Sequence, residues 1–135
     1  MAAFSALKWI SKNTKTTSIL SIRQALDDGN LSPFSLSLGE IYHFNKKITA
    51  KINLARSYRL PTFNDRYWLQ GGNPDILAEK AWNQDLNVQY KKDFSSIKLE
   101  AQTSIFSNLV DNLMIWLPNE NGIWTVENVR KVWAK

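Results

Sequence analysis

The side chains in this sequence that have the potential for chemistry are carboxylates, arginines and tryptophans, not cysteine or histidine. The 135 residues include no cysteine and one histidine, His43. A disulfide framework, a thiol nucleophile and a Cys-ligated zinc site are therefore excluded, and a Ser-His-Asp triad is disfavoured. Asp85 and Glu100 are candidate acid and base, but both alternate with apolar residues, which is typical of a solvated sheet face. We expect no enzyme activity, no metal site and no cofactor.

Six tryptophans are the most distinctive of these side chains: Trp9, Trp68, Trp82, Trp116, Trp124 and Trp133. Tryptophans near strand ends are typical of an aromatic girdle at a membrane interface or of a platform for a ligand. Ordinary core packing explains them equally well from the sequence alone.

Two further polar clusters favour structural interpretations. Arg56 and Arg59 flank a Ser-Tyr pair and are suited to an anionic ligand, but a charge pair inside a barrel wall is the simpler hypothesis. The segment 27–30, Asp-Asp-Gly-Asn, resembles part of a calcium loop, yet it lacks the alternating ligands and the distal Glu of that motif. An ordinary turn is the better prediction.

The elements that would position these residues are mostly strands, because apolar residues recur with a period of two. The clearest alternation begins at Ile48 and continues to Tyr58. Similar patterns cover residues 3–11, 16–27, 35–45, 82–91 and 97–105. Several of these segments have about 11 residues, the length of a membrane-spanning strand and longer than a typical globular one.

The connections differ in length, and two segments are ambiguous. A short turn at Phe94 and a long connection over 59–80 follow the pattern of an outer-membrane barrel. Residues 75–86 contain good helix formers, and residues 125–135 suit a helix as well as a strand.

Composition excludes several other classes of protein. The net charge of +5 is spread along the chain without a block of five like charges, so nucleic acid is not an expected partner. The longest apolar run, residues 113–117, is far shorter than the roughly 20 residues of a membrane helix. The N-terminal segment lacks the features of a signal peptide.

Three stretches resemble the barrel of TonB-dependent outer-membrane receptors. Residues 58–68 read YRLPTFNDRYW and residues 72–79 read GNPDILAE, which is similar to the family stretch YR-PTF-DLYW…GNP-LKPE between two barrel strands. Residues 32–39, SPFSLSLG, resemble its SPFSPSLG. Residues 111–118 and 122–129, DNLMIWLP and GIWTVENV, resemble its DNIIxWxP…G-WxPxNV. The closest similarity is to the branch related to vitamin B12 receptors.

The resemblance implies an all-β fold, an antiparallel meander of about six to seven strands that forms part of a large transmembrane barrel. Residues 1–135 would be a partial barrel without plug, TonB box or signal peptide, since family members have 22 strands around an N-terminal plug. The family-motif loop would contain Arg59, Pro61, Asn64, Tyr67, Trp68, Asn73, Pro74 and Glu79. A second motif would contain Asp111, Asn112, Trp116, Pro118, Trp124 and Asn128.

Physical roles follow for some of these residues. Pro61 and Pro74 would end the strand ladder, Gly71 and Gly72 would allow positive φ, and Glu79 would cap backbone amides or pair with a loop arginine.

The implied function is uptake of a scarce solute, a siderophore or a corrinoid, across the cell outer membrane. The implied partners are outer-membrane lipid, the rest of the barrel and its plug, and TonB through that plug. The apolar residues at alternate strand positions would face lipid, and the polar residues between them would face the lumen. A soluble all-β carbohydrate-binding module remains an alternative that explains the tryptophans and strands equally well.

Overall fold

The computed structural model describes residues 1–27 and 30–135 as one antiparallel sheet. Seven strands follow one another in chain order, and a two-residue strand, β3, pairs with the end of β2. The elements are β1 (Ala2–Ile10), β2 (Thr16–Asp27), β3 (Asn30–Leu31), β4 (Ser35–His43), β5 (Ile48–Arg59), α1 (Phe63–Tyr67), β6 (Glu79–Asp93), β7 (Lys98–Pro118) and β8 (Trp124–Ala134). The predicted meander of six to seven strands is confirmed.

In the central strands β5, β6 and β7 the register places mostly apolar residues on one face and mostly polar residues on the other. In the β5–β6 pair, Ile52 lies opposite Leu86, whereas Asn53 lies opposite Asp85 and donates a 3.3 Å hydrogen bond to it. Leu86 also lies opposite Ile105 of β7, so apolar residues form rows across the strands. We call these the apolar face and the polar face. The alternation that predicts each strand thus produces two chemically different surfaces.

Among the residues that the structure describes, no second layer packs on the apolar face. Leu86 and Ile105 are both exposed, and the buried hydrophobic residues are limited, within the described residues, to Ile76, Met114 and Val126. The solvent-accessible area is 10293 Å², whereas a compact monomer of 15.5 kDa would expose about 7,200 Å². A sandwich would bury such a face against another sheet, so the fold does not favour the soluble binding module.

The two ends of the sheet differ. Turns at 11–15, 44–47 and 94–97 join neighbouring strands at one end, which we call the short-turn end. Side-chain oxygens brace two of them, since Oδ1 of Asn45 accepts from Lys47 and Ile48, and Oδ1 of Asn13 accepts from Lys15. Residues 60–78 and the β7–β8 hairpin lie at the opposite, long-loop end.

The structure resolves both ambiguous segments. Residues 124–134 form strand β8, because they pair with β7 over most of their length. The helix formers of 75–86 do not build a helix: β6 begins at Glu79, where pairing with both β5 and β7 outweighs local propensity. The short helix α1 and the 21-residue length of β7 were not expected from the sequence.

Among the described residues no helix is long and apolar enough to cross a membrane. The turn predicted at 27–30 has its central residues, Asp28 and Gly29, outside the described residues.

Candidate functional site

The loop 60–78 begins with a helix that is fixed by a buried carboxylate. Thr62 caps α1: its hydroxyl accepts from the Asp65 amide, while Oδ2 of Asp65 accepts from the Thr62 amide and hydroxyl, both at 2.8 Å. Oδ1 of Asp65 accepts from Nε1 of Trp116 in β7 at 3.1 Å. Asp65 is 6% exposed, and this carboxylate therefore ties the loop helix to a strand 51 residues away.

The pKa of Asp65 lies below its ordinary value. Burial alone would raise this pKa. The hydrogen bonds from the Thr62 amide and hydroxyl and from the Trp116 indole lower the pKa, the positive charge of Arg59 lowers it too, and together these effects outweigh burial. The carboxylate is thus held ionised, and both of its oxygens accept hydrogen bonds from other groups of the protein.

Beyond the end of β6, an arginine and a glutamate side chain bind backbone groups on the open edge of β7. The β6–β7 ladder ends at Lys80 and Asp111, so Met114 has no strand partner on that side within the described part of the chain. Oε1 of Glu79 accepts from the Met114 amide at 2.6 Å, and Nη2 of Arg59 donates to the Met114 carbonyl at 3.3 Å. Arg59 also binds Glu79 through Nε and Nη2, at 2.8 and 2.7 Å. Glu79 thus both binds a backbone amide and pairs with Arg59.

Asn128 fastens the second half of the loop. Its Oδ1 accepts from the Leu77 amide at 2.8 Å, and its Nδ2 donates to the carbonyls of Leu77 and Asn112 at 3.1 and 2.9 Å. The side chain therefore acts as a strand partner for Leu77. Asn112 has a φ of 56°, and this left-handed residue marks the point where β7 extends past β6.

Two glycines allow close backbone approaches in the loop: Gly71 touches the β7–β8 hairpin, and Gly72 packs against the backbone of residues 66–68 within the loop. A Cβ on Gly71 would lie 1.8 Å from the Trp124 carbonyl oxygen, and one on Gly72 would lie 2.5 Å from the Trp68 nitrogen. The Gly71 carbonyl accepts from the Val126 amide at 3.0 Å. The expectation of positive φ is wrong here, because among the described glycines only Gly122 has it. Close approach, not backbone handedness, requires glycine at these positions.

A small apolar cluster lies beneath the loop. Ile76 contributes its side chain from the loop, and Met114 and Val126 contribute theirs from β7 and β8, with Trp116 packed against them. All three strand residues share one face with Asn128, by the pairs Met114–Asn128 and Trp116–Val126. Sequence reasoning missed this cluster, whose only signal was apolar residues at alternate positions within the second motif.

The six tryptophans divide between the two interpretations left open by the sequence. Trp9, Trp82 and Trp133 lie on the apolar face, with Trp82 and Trp133 both opposite Leu109. Trp116 packs in the small cluster. Trp68 and Trp124 line a cleft at the long-loop end.

This cleft, of about 670 Å³, lies between α1 and the β7–β8 hairpin. Trp68 and Trp124 are 52% and 58% exposed, so about half of each residue's surface is open to solvent. The lining also includes Asn64, Gln70 and Ile123 but no Lys, Arg or His; the full set is Thr62, Asn64, Asp65, Trp68, Gln70, Trp116, Gly122, Ile123 and Trp124. Such a surface is suited to stacking and amide hydrogen bonding.

The remaining predicted residues lie around this loop without entering the cleft. Tyr67 contacts Phe63 with ring centroids 5.0 Å apart. Pro61 and Pro74 lie in the segment between β5 and β6, and Pro118 ends β7 opposite Trp124. The Asn73 amide donates to the Asp65 carbonyl at 2.8 Å. Asp111 lies opposite both Lys80 and Lys131.

Arg56 is not part of an ion pair with any residue that the structure describes. Arg56 lies on the apolar face, opposite Leu36 and Trp82, and its guanidinium is 4.3 Å from the Phe34 ring centroid. Arg59 lies opposite Glu79 and pairs with it, whereas Arg56, an odd number of residues away, points to the other face.

Comparison with known proteins identifies relatives over most of the chain. The model of the family described as TonB dependent receptor-like, beta-barrel matches residues 7–135. A vitamin B12 transporter of Photobacterium profundum is 26% identical over 96 residues, which cover 68% of this chain and 15% of the transporter. A vitamin B12 transporter of Vibrio vulnificus is 29% identical over 73 residues, 53% of this chain and 11% of the transporter. The chain thus matches less than one sixth of the length of these curated relatives.

Proposed function

The chain belongs to the TonB-dependent receptor-like β-barrel family, and we propose that its seven main strands form part of the wall of an outer-membrane uptake receptor. The family implies a transporter and not an enzyme, and an outer-membrane location. The observation that carries the proposal is the single sheet with one apolar and one polar face. In this role the apolar face contacts lipid, and the polar face with its loop borders the lumen.

The outer strands of the sheet support the same role. β1 and β8 each pair on one side only within the described residues. Their free backbone groups would be satisfied by further strands of the barrel, since an open edge is not tolerated in lipid. Residues 1–135 would then contribute wall strands and the loop 60–78. Contact with TonB would be made through the plug domain of the receptor.

For the transported solute we propose a corrinoid and not a siderophore. The cleft at Trp68 and Trp124 offers two exposed aromatic faces and two amides, and none of its lining residues is a cation that would bind an anionic ferric chelate. A ligand with apolar surfaces and an uncharged, amide-bearing edge fits this chemistry. The matched relatives, both named as vitamin B12 transporters, support that choice.

Equilibrium dialysis of the detergent-folded chain against cyanocobalamin tests the proposed solute. We expect saturable binding that weakens on the order of tenfold in Trp68→Ala and in Trp124→Ala, because each removes an aromatic contact of about 1–2 kcal/mol. Trp9→Ala, on the apolar face far from the cleft, is the matched control and should bind normally. Preferred binding of a ferric siderophore, or equal losses in all three variants, would contradict the proposal.

A further inference from the structure

The short-turn end of the sheet carries a concentration of positive charge that the proposed uptake function does not use. Within three residues of the turns at 11–15, 44–47 and 94–97 lie eight lysines and only two carboxylates. The lysines are Lys8, Lys12, Lys15, Lys46, Lys47, Lys91, Lys92 and Lys98, and the carboxylates are Asp93 and Glu100. We call this set of lysines the lysine rim.

Little of this charge is neutralised within the protein. The ion pair that the described residues form at this end joins Lys91 to Glu100 at 3.4 Å, and both side chains are more than half exposed. Exposed ion pairs of this kind contribute little stabilising free energy. At the long-loop end, by contrast, Arg59 is bound by Glu79, and Asp111 lies between Lys80 and Lys131. The excess of positive charge is therefore confined to one end of the sheet.

Aromatic residues lie immediately next to the lysine rim. Tyr42 and Phe44 form an edge-to-face pair with centroids 4.8 Å apart, and the ammonium of Lys92 lies 4.4 Å from the Phe94 ring centroid. Tyr42, Phe44 and Phe94 are all exposed. In membrane proteins, exposed aromatic residues at the ends of apolar strands mark the level of the lipid headgroups. Lys92 lies on the apolar face, and Lys12, Lys15, Lys46 and Lys47 lie in the turns just beyond that level, so these five have the reach to contact headgroup phosphates. Lys8, Lys91 and Lys98 lie on the polar face.

We propose that the lysine rim, through its four turn lysines and Lys92, binds the phosphates of anionic phospholipids in the membrane leaflet at the short-turn end. This inference rests on the proposed membrane location. Lysine ammonium groups are point charges with three donors each, and an anionic leaflet attracts each of them by electrostatics that salt screens. The partner is a lipid surface and not a single ligand, because the charges lie on separate turns across the short-turn end of the sheet.

An acidic peptide segment is the competing occupant. A cleft between the turns, of about 560 Å³, is lined by Lys15, Lys46, Lys47 and Lys91 together with His43 and Thr49. His43 and Thr49 lie opposite each other on the polar face, and the His43 Nδ1 is 2.9 Å from the Thr49 hydroxyl. The aromatic neighbours favour lipid, and the experiment below includes the peptide.

Vesicle co-sedimentation of the full 135-residue chain tests the proposal. Phosphatidylcholine vesicles are compared with vesicles in which part of the lipid is phosphatidylglycerol. The triple variant Lys15→Gln, Lys46→Gln, Lys47→Gln removes three rim charges, and the control Lys80→Gln, Arg130→Gln, Lys131→Gln removes three at the long-loop end. At about fivefold per lysine, the rim variant should lose its preference for anionic vesicles on the order of a hundredfold, and the control should lose much less.

The outcomes separate this inference from the proposed function. Binding to both vesicle types without an anionic preference, or equal losses in the two variants, would overturn the lysine rim as a lipid site while supporting membrane association. Failure to bind any vesicle would overturn both. Saturable binding of a Glu-rich peptide that the rim variant abolishes, with no anionic-lipid preference, would assign the rim to a protein segment instead. High salt should abolish the lipid preference of the unmodified chain, a readout that requires no variant.

Discussion

Nε1 of Trp116 donates a hydrogen bond of 3.1 Å to Oδ1 of Asp65, and this contact joins the loop between β5 and β6 to strand β7. The carboxylate serves two purposes, because its other oxygen caps the helix α1 through Thr62. One buried group therefore determines both the local fold of the loop and its position over the β7–β8 hairpin. The aromatic cleft depends on that position, since Trp68 and Trp124 come from the two sides.

Replacing Asp65 should release the loop without unfolding the sheet. In Asp65→Asn the charge-assisted hydrogen bonds from Thr62 and Trp116 are lost or weakened, at a cost of about 2 kcal/mol. Amide hydrogen exchange at residues 62–77 should accelerate accordingly, whereas exchange in β5 and β6 should not change. Asp75→Asn, an exposed carboxylate on the same loop, is the control and should leave exchange unaltered.

The same contact predicts a pH dependence of definite sign. The pKa of Asp65 is lower in the folded loop than in the unfolded chain. Its stabilising contribution is therefore fully present above the unfolded pKa of about 3.9 and is lost as the pH falls through the folded value. Loop protection should be constant from neutral pH to about pH 5 and should decrease in stronger acid. If Asp65→Asn shows the same acid dependence as the unmodified chain, another group is responsible.

The effects of Arg59 and Glu79 on stability should be coupled, because the two side chains bind each other and both bind the Met114 backbone at the edge of β7. A double-mutant cycle with Arg59→Ala and Glu79→Ala should give a coupling energy of about 1 kcal/mol, a modest value because the Arg59 side chain is 50% exposed. Glu79→Ala alone should accelerate exchange of the Met114 amide, which loses its acceptor. Arg59→Lys should not restore the pair fully, because an ammonium lacks the two-pronged geometry. Purely additive effects of the two substitutions would show that the residues act independently.

Gly71 should be the glycine least tolerant of substitution at the long-loop end. A Cβ there would overlap the Trp124 carbonyl oxygen, so Gly71→Ala should displace the loop at a cost of about 3 kcal/mol and weaken ligand binding in the cleft. Gly39→Ala is a matched control, because its new Cβ would meet the nearest atom at an ordinary 3.9 Å. Limited proteolysis of the loop in both variants measures the difference. Equal resistance would mean that the loop accommodates the added methyl group.

The sheet was predictable from the sequence, and the loop was only partly so. Alternation such as Ile48 to Tyr58 predicts a strand from local information, and strand order follows when each turn is short. The contacts of Asp65 with Trp116 and of Asn128 with Leu77 span 51 residues, and no local pattern encodes them. The motif resemblance singled out Trp116 and Asn128 without their geometry, and it included Asp65 and Leu77 only as members of the matching stretches. The helix propensity of 75–86 misleads because strand pairing on both sides of β6 outweighs it.

The most direct test of the central claim is to ask which face of the sheet meets lipid. Because the chain has no cysteine, single cysteines at 85, 86, 87 and 88 of β6 can carry spin labels in membrane-reconstituted protein. We predict a period of two: labels replacing Leu86 and Val88 should be accessible to lipid-soluble oxygen, and those replacing Asp85 and Asn87 to a water-soluble relaxation agent. Uniform accessibility along β6, or oxygen access at 85 and 87 instead, would contradict a wall whose apolar face contacts the membrane.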